Sequence, residues 1–153
     1  MLTGDGAAFV HEHPESQDVL LVDGYDAKRI VDDLASPEFY RACKAMLRPG
    51  GAFSRAFPGY EFRTPQVHML ESVAGAFNQA HHLMAEAGTG TGKSVAYLLP
   101  AIAYAVKNGT RVVVSTNTIN LQDQLFKKDL PDLQRILSDA WNTPAPFRAA
   151  LLK

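Results

Sequence analysis

From residue 87 to residue 94 the chain reads Ala87-Gly88-Thr89-Gly90-Thr91-Gly92-Lys93-Ser94, with glycine at alternate positions and a lysine and a serine at the end. Glycines let a backbone curl until several N–H groups face one point, and such an array suits a polyphosphate. A helix starting at Lys93 would add the positive end of its dipole. Lys93 can reach the β- and γ-phosphates of a nucleotide as a point charge, and the Ser94 hydroxyl can ligate Mg²⁺. The string is a Walker A loop with alanine where the strict form has glycine. Alanine keeps the site small and does not spoil it. The bland alternative is a glycine-rich turn with a chance lysine. A strand before the loop and a helix after it favour the phosphate reading.

Those flanking elements are expected from the pattern. His82–Glu86 reads as a short strand running into the loop. A helix follows to about Asn108, with Gly109 as its stop and Pro100 as a kink within it. Arg111–Ser115 is a β-branched run suited to a central parallel strand. Thr118–Lys128 is expected to be helical with Leu121 and Leu125 inward, and Pro131–Asp139 to form a further short helix. Upstream, Thr64 can cap a helix with Pro65 at its first position, and Val67, Leu70, Ala74 and Phe77 make one apolar face. Strand, loop, helix, strand and helix in that order form a βαβ unit, so the fold class is α/β with a parallel sheet and flanking helices, the P-loop NTPase arrangement.

Residues 1–59 read as a short mixed α/β leader of unknown role. Asp18–Asp23 could be a buried strand, and Asp26–Leu34 and Pro37–Leu47 have helical spacing. Pro49-Gly50-Gly51 and Pro58-Gly59 are turn or linker signals, which places a domain boundary before Tyr60 and a second unit over residues 60–153.

Composition narrows the setting. With 46% hydrophobic and 20% charged residues the chain is globular rather than disordered. Its formal net charge of −1 provides no global field for nucleic acid, so any strand must be held in a local cleft. Cys43 is the single cysteine, which excludes a disulfide within the chain and a four-cysteine iron–sulfur cluster within it. The N-terminus lacks an apolar signal core, and the apolar stretch Val95–Val106 is too short to span a bilayer. A cytoplasmic protein without a membrane partner is expected, and a monomer.

Glu86-Ala-Gly-Thr-Gly-Thr-Gly-Lys-Ser94, continued by Val-Ala-Tyr-Leu-Leu-Pro-Ala101, resembles the DinG-type ATP-dependent DNA helicases, relatives of the XPD-type superfamily 2 helicases. Upstream, Tyr60-Glu61-Phe62-Arg63 with Gln66 is similar to the family's YExRxxQ segment. Downstream, Ser115-Thr116-Asn117-Thr118 with Leu121-Gln122-Asp123-Gln124-Leu125 is similar to its second motif. The resemblance covers about Pro58 to the C-terminus. It implies a RecA-like domain that binds ATP and Mg²⁺ through Arg63, Gln66 and Ala87–Ser94, with Gln66 reading the adenine edge. It also implies that Ser115, Thr116, Asn117 and Thr118 touch the backbone of single-stranded or forked DNA. An amide can meet both a donor and an acceptor on adenine, and hydroxyls at a strand end can donate to phosphate oxygens. Without the resemblance, Gln66 would read as a solvated helix residue, and Ser115–Thr118 would read equally well as a helix cap.

No Asp-Glu-x-His follows the loop, so the carboxylates that would assist Mg²⁺ and water are missing, and the chain reads as the N-terminal piece of a longer helicase. Many members of that family carry four cysteines just past the point matching Lys153, so a [4Fe–4S] cluster is expected only beyond this chain. Unwinding in DNA repair or replication is implied for the complete protein, with the piece alone inactive. A nucleotide or small-molecule kinase, another P-loop ATPase and a non-catalytic nucleotide-binding module remain open. A kinase would need a lid arginine, and Arg111, Arg135 and Arg148 lack that context. Val19-Leu-Leu-Val-Asp23 looks like a Walker B strand but precedes Walker A, so a plain strand is favoured. His11-Glu12-His13 reads as solvated loop and His81-His82 as structural. Residues 1–59 lack the acidic constellation of an exonuclease domain.

Overall fold

The structure, a computed structural model, describes residues 19–22 and 37–152. The helix expected at Asp26–Leu34 and the His11-Glu12-His13 triplet lie outside the described residues. In chain order the elements are β1 (Val19–Val22), α1 (Pro37–Leu47), α2 (Ala52–Ala56), α3 (Thr64–Gln79), α4 (Lys93–Asn108), β2 (Val112–Ser115), α5 (Ile119–Gln124), a π-helical segment (Leu125–Asp129), α6 (Leu130–Trp141) and β3 (Ala149–Leu151).

Helix α4 is the hub. Ala96, Leu98, Leu99, Ile102, Ala103 and Ala105 are fully buried, so apolar side chains cover most of its circumference, as befits a helix enclosed by other elements. It runs on through Pro100 and stops at Gly109, whose left-handed backbone lets its N–H reach the Ala105 carbonyl. Helix α3 lies along it, with Val67, Leu70 and Ala74 buried and Phe77 stacked on Tyr104 at a centroid distance of 4.8 Å. Helix α3 begins one residue earlier than expected. Arg63 holds the cap position in an extended conformation, Thr64 is already helical, and no side chain caps the end. The Arg63 carbonyl itself accepts from the Gln66 and Val67 amides at 3.0 and 3.3 Å.

The helices upstream of Tyr60 belong to the same core. Cys43, Met46 and Leu47 of α1 and Phe53 of α2 are buried in one cluster with Leu70, Leu99, Ile102, Leu133 and Phe147. The Arg135 guanidinium on α6 lies 5.4 Å from the centroid of the Phe57 ring, just past α2, at cation–π distance. Burial pushes the Cys43 thiol up to about 12.

Two short helices were expected between Thr118 and Asp139, but the stretch from Ile119 to Trp141 is one helical run with a π turn inside it. Pro131 explains the turn. It has no N–H for the carbonyl four residues back, and its ring would press on that carbonyl. The widened turn instead closes with Leu130 N–H on Leu125 O, a five-residue step. That step places Leu125 and Leu130, both buried, on one face. Leu121, one turn earlier, is half exposed rather than inward.

The strand expected at His82–Glu86 is not formed. Residues 81–86 are irregular and exposed, with Met84 fully so. The run has no β-branched side chain and finds no ladder partner among the described residues, so water can satisfy its backbone. Its place in the sheet falls to β1. The order is β2-β1-β3, with β1 parallel to both neighbours: Val19 pairs with Val112 and Ala149, and Val22 with Ser115. Strand β2, expected to be central, is therefore an edge strand among the described residues, with Val113 51% exposed.

Candidate functional site

Gly92 fixes the geometry of the glycine-rich loop. Its φ of +77° lies in the left-handed region that only glycine enters freely, and it caps the N-terminus of α4. A Cβ there would also overlap the Gln66 amide nitrogen. Gly90 has a φ of +75° for the same kind of turn. Chain reversal at these two residues brings Ala87–Ser94 onto the start of a sixteen-residue helix, where unsatisfied N–H groups and the helix dipole favour an anion.

Lys93 folds over the loop, donating from Nζ to Ala87 O at 2.7 Å and Gly88 O at 2.9 Å. Thr91 Oγ1 donates to Gly88 O at 2.9 Å and closes the turn. Ser94, next in line, lies near the Tyr97 phenol. Burial raises the pKa of that phenol, the Ser94 hydroxyl offsets part of the rise, and the Asp129 carboxylate adds to it.

Two residues from the YExRxxQ segment reach the loop from the side. Arg63 Nη1 donates to Gly90 O at 2.7 Å, and its other terminal nitrogen faces Glu61. Gln66 is 5% exposed, not the solvated helix residue its sequence setting alone would give. Its Nε2 donates to Gly92 O at 3.0 Å, and its Oε1 accepts from the Tyr60 hydroxyl at 3.2 Å. Tyr60, which the sequence reading did not single out as a site residue, also donates to Leu47 O at 2.9 Å. Burial raises the pKa of its phenol while the Arg63 charge opposes the rise. Position alone could have flagged Tyr60, since it opens the segment that ends in Gln66.

Ser115, Thr116, Asn117 and Thr118 form a separate corner between β2 and α5. Thr118 caps α5, its Oγ1 accepting from Leu121 N at 3.3 Å, and Thr116 Oγ1 donates to the Thr118 carbonyl. The cap reading is therefore correct for Thr118. Ser115 and Asn117 are exposed, beside a hollow lined by Phe77, Tyr97 and the three valines of β2. Gln122 is buried and ties α5 to the end of β3 by donating to Leu152 O at 3.3 Å. Among the described residues no group of three His, Cys, Asp or Glu could hold a metal ion, and no helix is long and apolar enough to cross a membrane.

Residues 65–135 match the family described as DEAD/DEAH box helicase. The matched stretch contains Gln66, the whole glycine-rich loop and the Ser115–Thr118 corner. More particularly, the chain is 41% identical over 102 residues to the 3'-5' exonuclease DinG of Bacillus subtilis, a span of 67% of this chain and 10% of that protein. It is 50% identical over 91 residues to the ATP-dependent helicase DinG of Mycobacterium tuberculosis, spanning 60% of this chain and 13% of that one. With the ATP-dependent DNA helicase YoaA of Escherichia coli it shares 42% over 94 residues, spanning 61% and 14%. Over the matched stretch the chain is similar to DEAD/DEAH box helicases and to DinG and YoaA, and the matches span about a tenth to a seventh of those relatives' length. No solved structure matches the chain.

Proposed function

We propose that this chain is the ATP-binding portion of an ATP-dependent DNA helicase, in which ATP hydrolysis drives strand unwinding for repair or replication. The observation that carries this reading is the glycine-rich loop at the start of α4, with Lys93 over it and Arg63 and Gln66 against its Gly90 and Gly92 carbonyls. The loop amides of Ala87–Ser94 would cradle the phosphates. Lys93 would leave the Ala87 and Gly88 carbonyls for the β- and γ-phosphates, and the Ser94 hydroxyl would ligate Mg²⁺. Bound Mg²⁺ supplies positive charge to the phosphate oxygens. Gln66 has one N–H and one oxygen lone pair beyond its present bonds, the complement of the adenine edge.

We place the loop on a RecA-like parallel sheet with flanking helices, and single-stranded or forked DNA against Ser115, Thr116, Asn117 and Thr118. The curated relatives named as DNA helicases support the choice of nucleic acid. The single, fully buried Cys43 fits a cytoplasmic protein, and any [4Fe–4S] cluster would be ligated outside these residues. A monomer is the simplest state. The test is ATP turnover by the complete protein with and without single-stranded DNA. Strong stimulation that is lost on Lys93→Ala is expected. Turnover indifferent to both would overturn the reading.

A further inference from the structure

The Gln66 amide is held from two sides, and the second side belongs to the region upstream of the helicase match. Tyr60 sits between α2 and α3. Its ring packs 6.0 Å from that of Phe53, centroid to centroid, and its hydroxyl faces both Leu47 O at the end of α1 and Gln66 Oε1. A phenol has a single proton, so it is shared between two acceptors. That sharing has a consequence for Gln66. The edge of the amide that meets a donor must be the oxygen, so the nitrogen is turned to Gly92 O. Reversing the amide would set Oε1 against the Gly92 carbonyl, two acceptors face to face in a site almost closed to water. The Gly92 carbonyl also accepts from Ala96 N at 3.2 Å, the first turn of α4. A chain of hydrogen bonds therefore runs from the end of α1, through Tyr60 and Gln66, to the residue where loop becomes helix.

We propose that Tyr60 is a positioning residue of the nucleotide site: its hydroxyl fixes the Gln66 amide, and through it the Gly92 carbonyl, against the end of α1. The proposal rests on the reading of the loop as an ATP site. Because Tyr60 acts through Gln66, it governs how the loop holds phosphate as well as how the amide faces the base.

Tyr60→Phe keeps the ring against Phe53 and removes only the hydroxyl. In the whole chain, binding of ATP and of inorganic triphosphate should both weaken, ATP at least as much as triphosphate, by about two- to tenfold, the worth of one hydrogen bond. Amide exchange at Ala96 and its neighbours in the nucleotide-free chain should speed up by a similar factor. Both effects should vanish in a Gln66→Ala background, because the link is already cut. Equal effects of Tyr60→Phe with and without Gln66 would overturn the proposal, since they would show a general packing role. So would a loss confined to ATP, or unchanged exchange beside a clear Gln66→Ala response. If the chain binds neither ligand, the ATP reading fails, while the exchange at Ala96 still decides the hydrogen-bond chain.

Discussion

Lys93 and Gln66 meet the loop at different carbonyls and should fail differently. Lys93 contributes charge, and Lys93→Ala removes it without disturbing Gly90 or Gly92. ATP turnover by the complete protein should then drop to background, with the thermal midpoint little changed. Gln66→Ala should weaken ATP more than inorganic triphosphate, because the amide both holds Gly92 and offers its spare N–H and lone pair to adenine. Equal losses for the two ligands would mean that the base is read elsewhere. Gly92→Ala is the severe change at this scale. It forces a side chain into a left-handed conformation and into the Gln66 amide, so a loss of about 1–3 kcal/mol of stability is expected from denaturant titration. The loop was legible in the sequence because its chemistry is local: three glycines, a lysine and a serine specify their own backbone. The burial of Gln66 was not legible. It follows from Tyr60 and Gly92 closing on the amide from other elements, and no pattern within Thr64–Gln79 carries that information.

At the scale of elements, local signals again read well and pairings poorly. Gly109 ended α4 as expected, and Leu125 turned inward, because both follow from backbone conformation and helical period. His82–Glu86 failed as a strand, and β1 took the middle of the sheet, because a ladder depends on partners far away in sequence. The π turn was also unforeseen. Pro131 signalled a break, and the chain absorbed it by widening one turn, which keeps Leu125 and Leu130 in the core together. Leu125→Ala should therefore cost about 2–5 kcal/mol, the range for a fully buried leucine that leaves a cavity. A smaller loss by chemical denaturation would show that the π turn can relax to fill the space. Helix α1 has its own signature in pH. The Cys43 thiol is neutral in the folded chain up to about 12, whereas an exposed thiol ionises near 9. Below about pH 8 both states hold the proton and stability is unaffected; above it the unfolded state loses the proton first, and stability falls. The decline between pH 8 and pH 11 should be shallower in Cys43→Ala, measured as thermal midpoints. Parallel curves would place the cause in other groups.

For the whole molecule, the turn signals at Pro49-Gly50-Gly51 and Pro58-Gly59 suggest a linker, yet the core runs across them. Cys43, Met46, Leu47 and Phe53 pack with Leu70, Leu99, Ile102 and Leu133, and the Tyr60 hydroxyl fastens α1 to the side chain that holds Gly92. Composition marks turns, but it does not tell whether the segments on either side of a turn share a core. A chain cut to residues 60–153 would expose the faces of α3, α4 and α6 that these four side chains cover. A single buried phenylalanine is worth about 3–5 kcal/mol against alanine, and a natural domain has only about 5–15 kcal/mol in total. Removing Phe53 together with three neighbours should therefore exceed what the remainder can bear. The shortened chain should lack a cooperative thermal transition, bind an environment-sensitive apolar dye, and show no saturable ATP binding. Phe53→Ala in the full 153 residues should fall between the two, with a lowered midpoint and binding retained below it. A cooperative melt of residues 60–153 at the temperature of the whole chain would mean that α1 and α2 only lie on the ATP-binding unit and are no part of it.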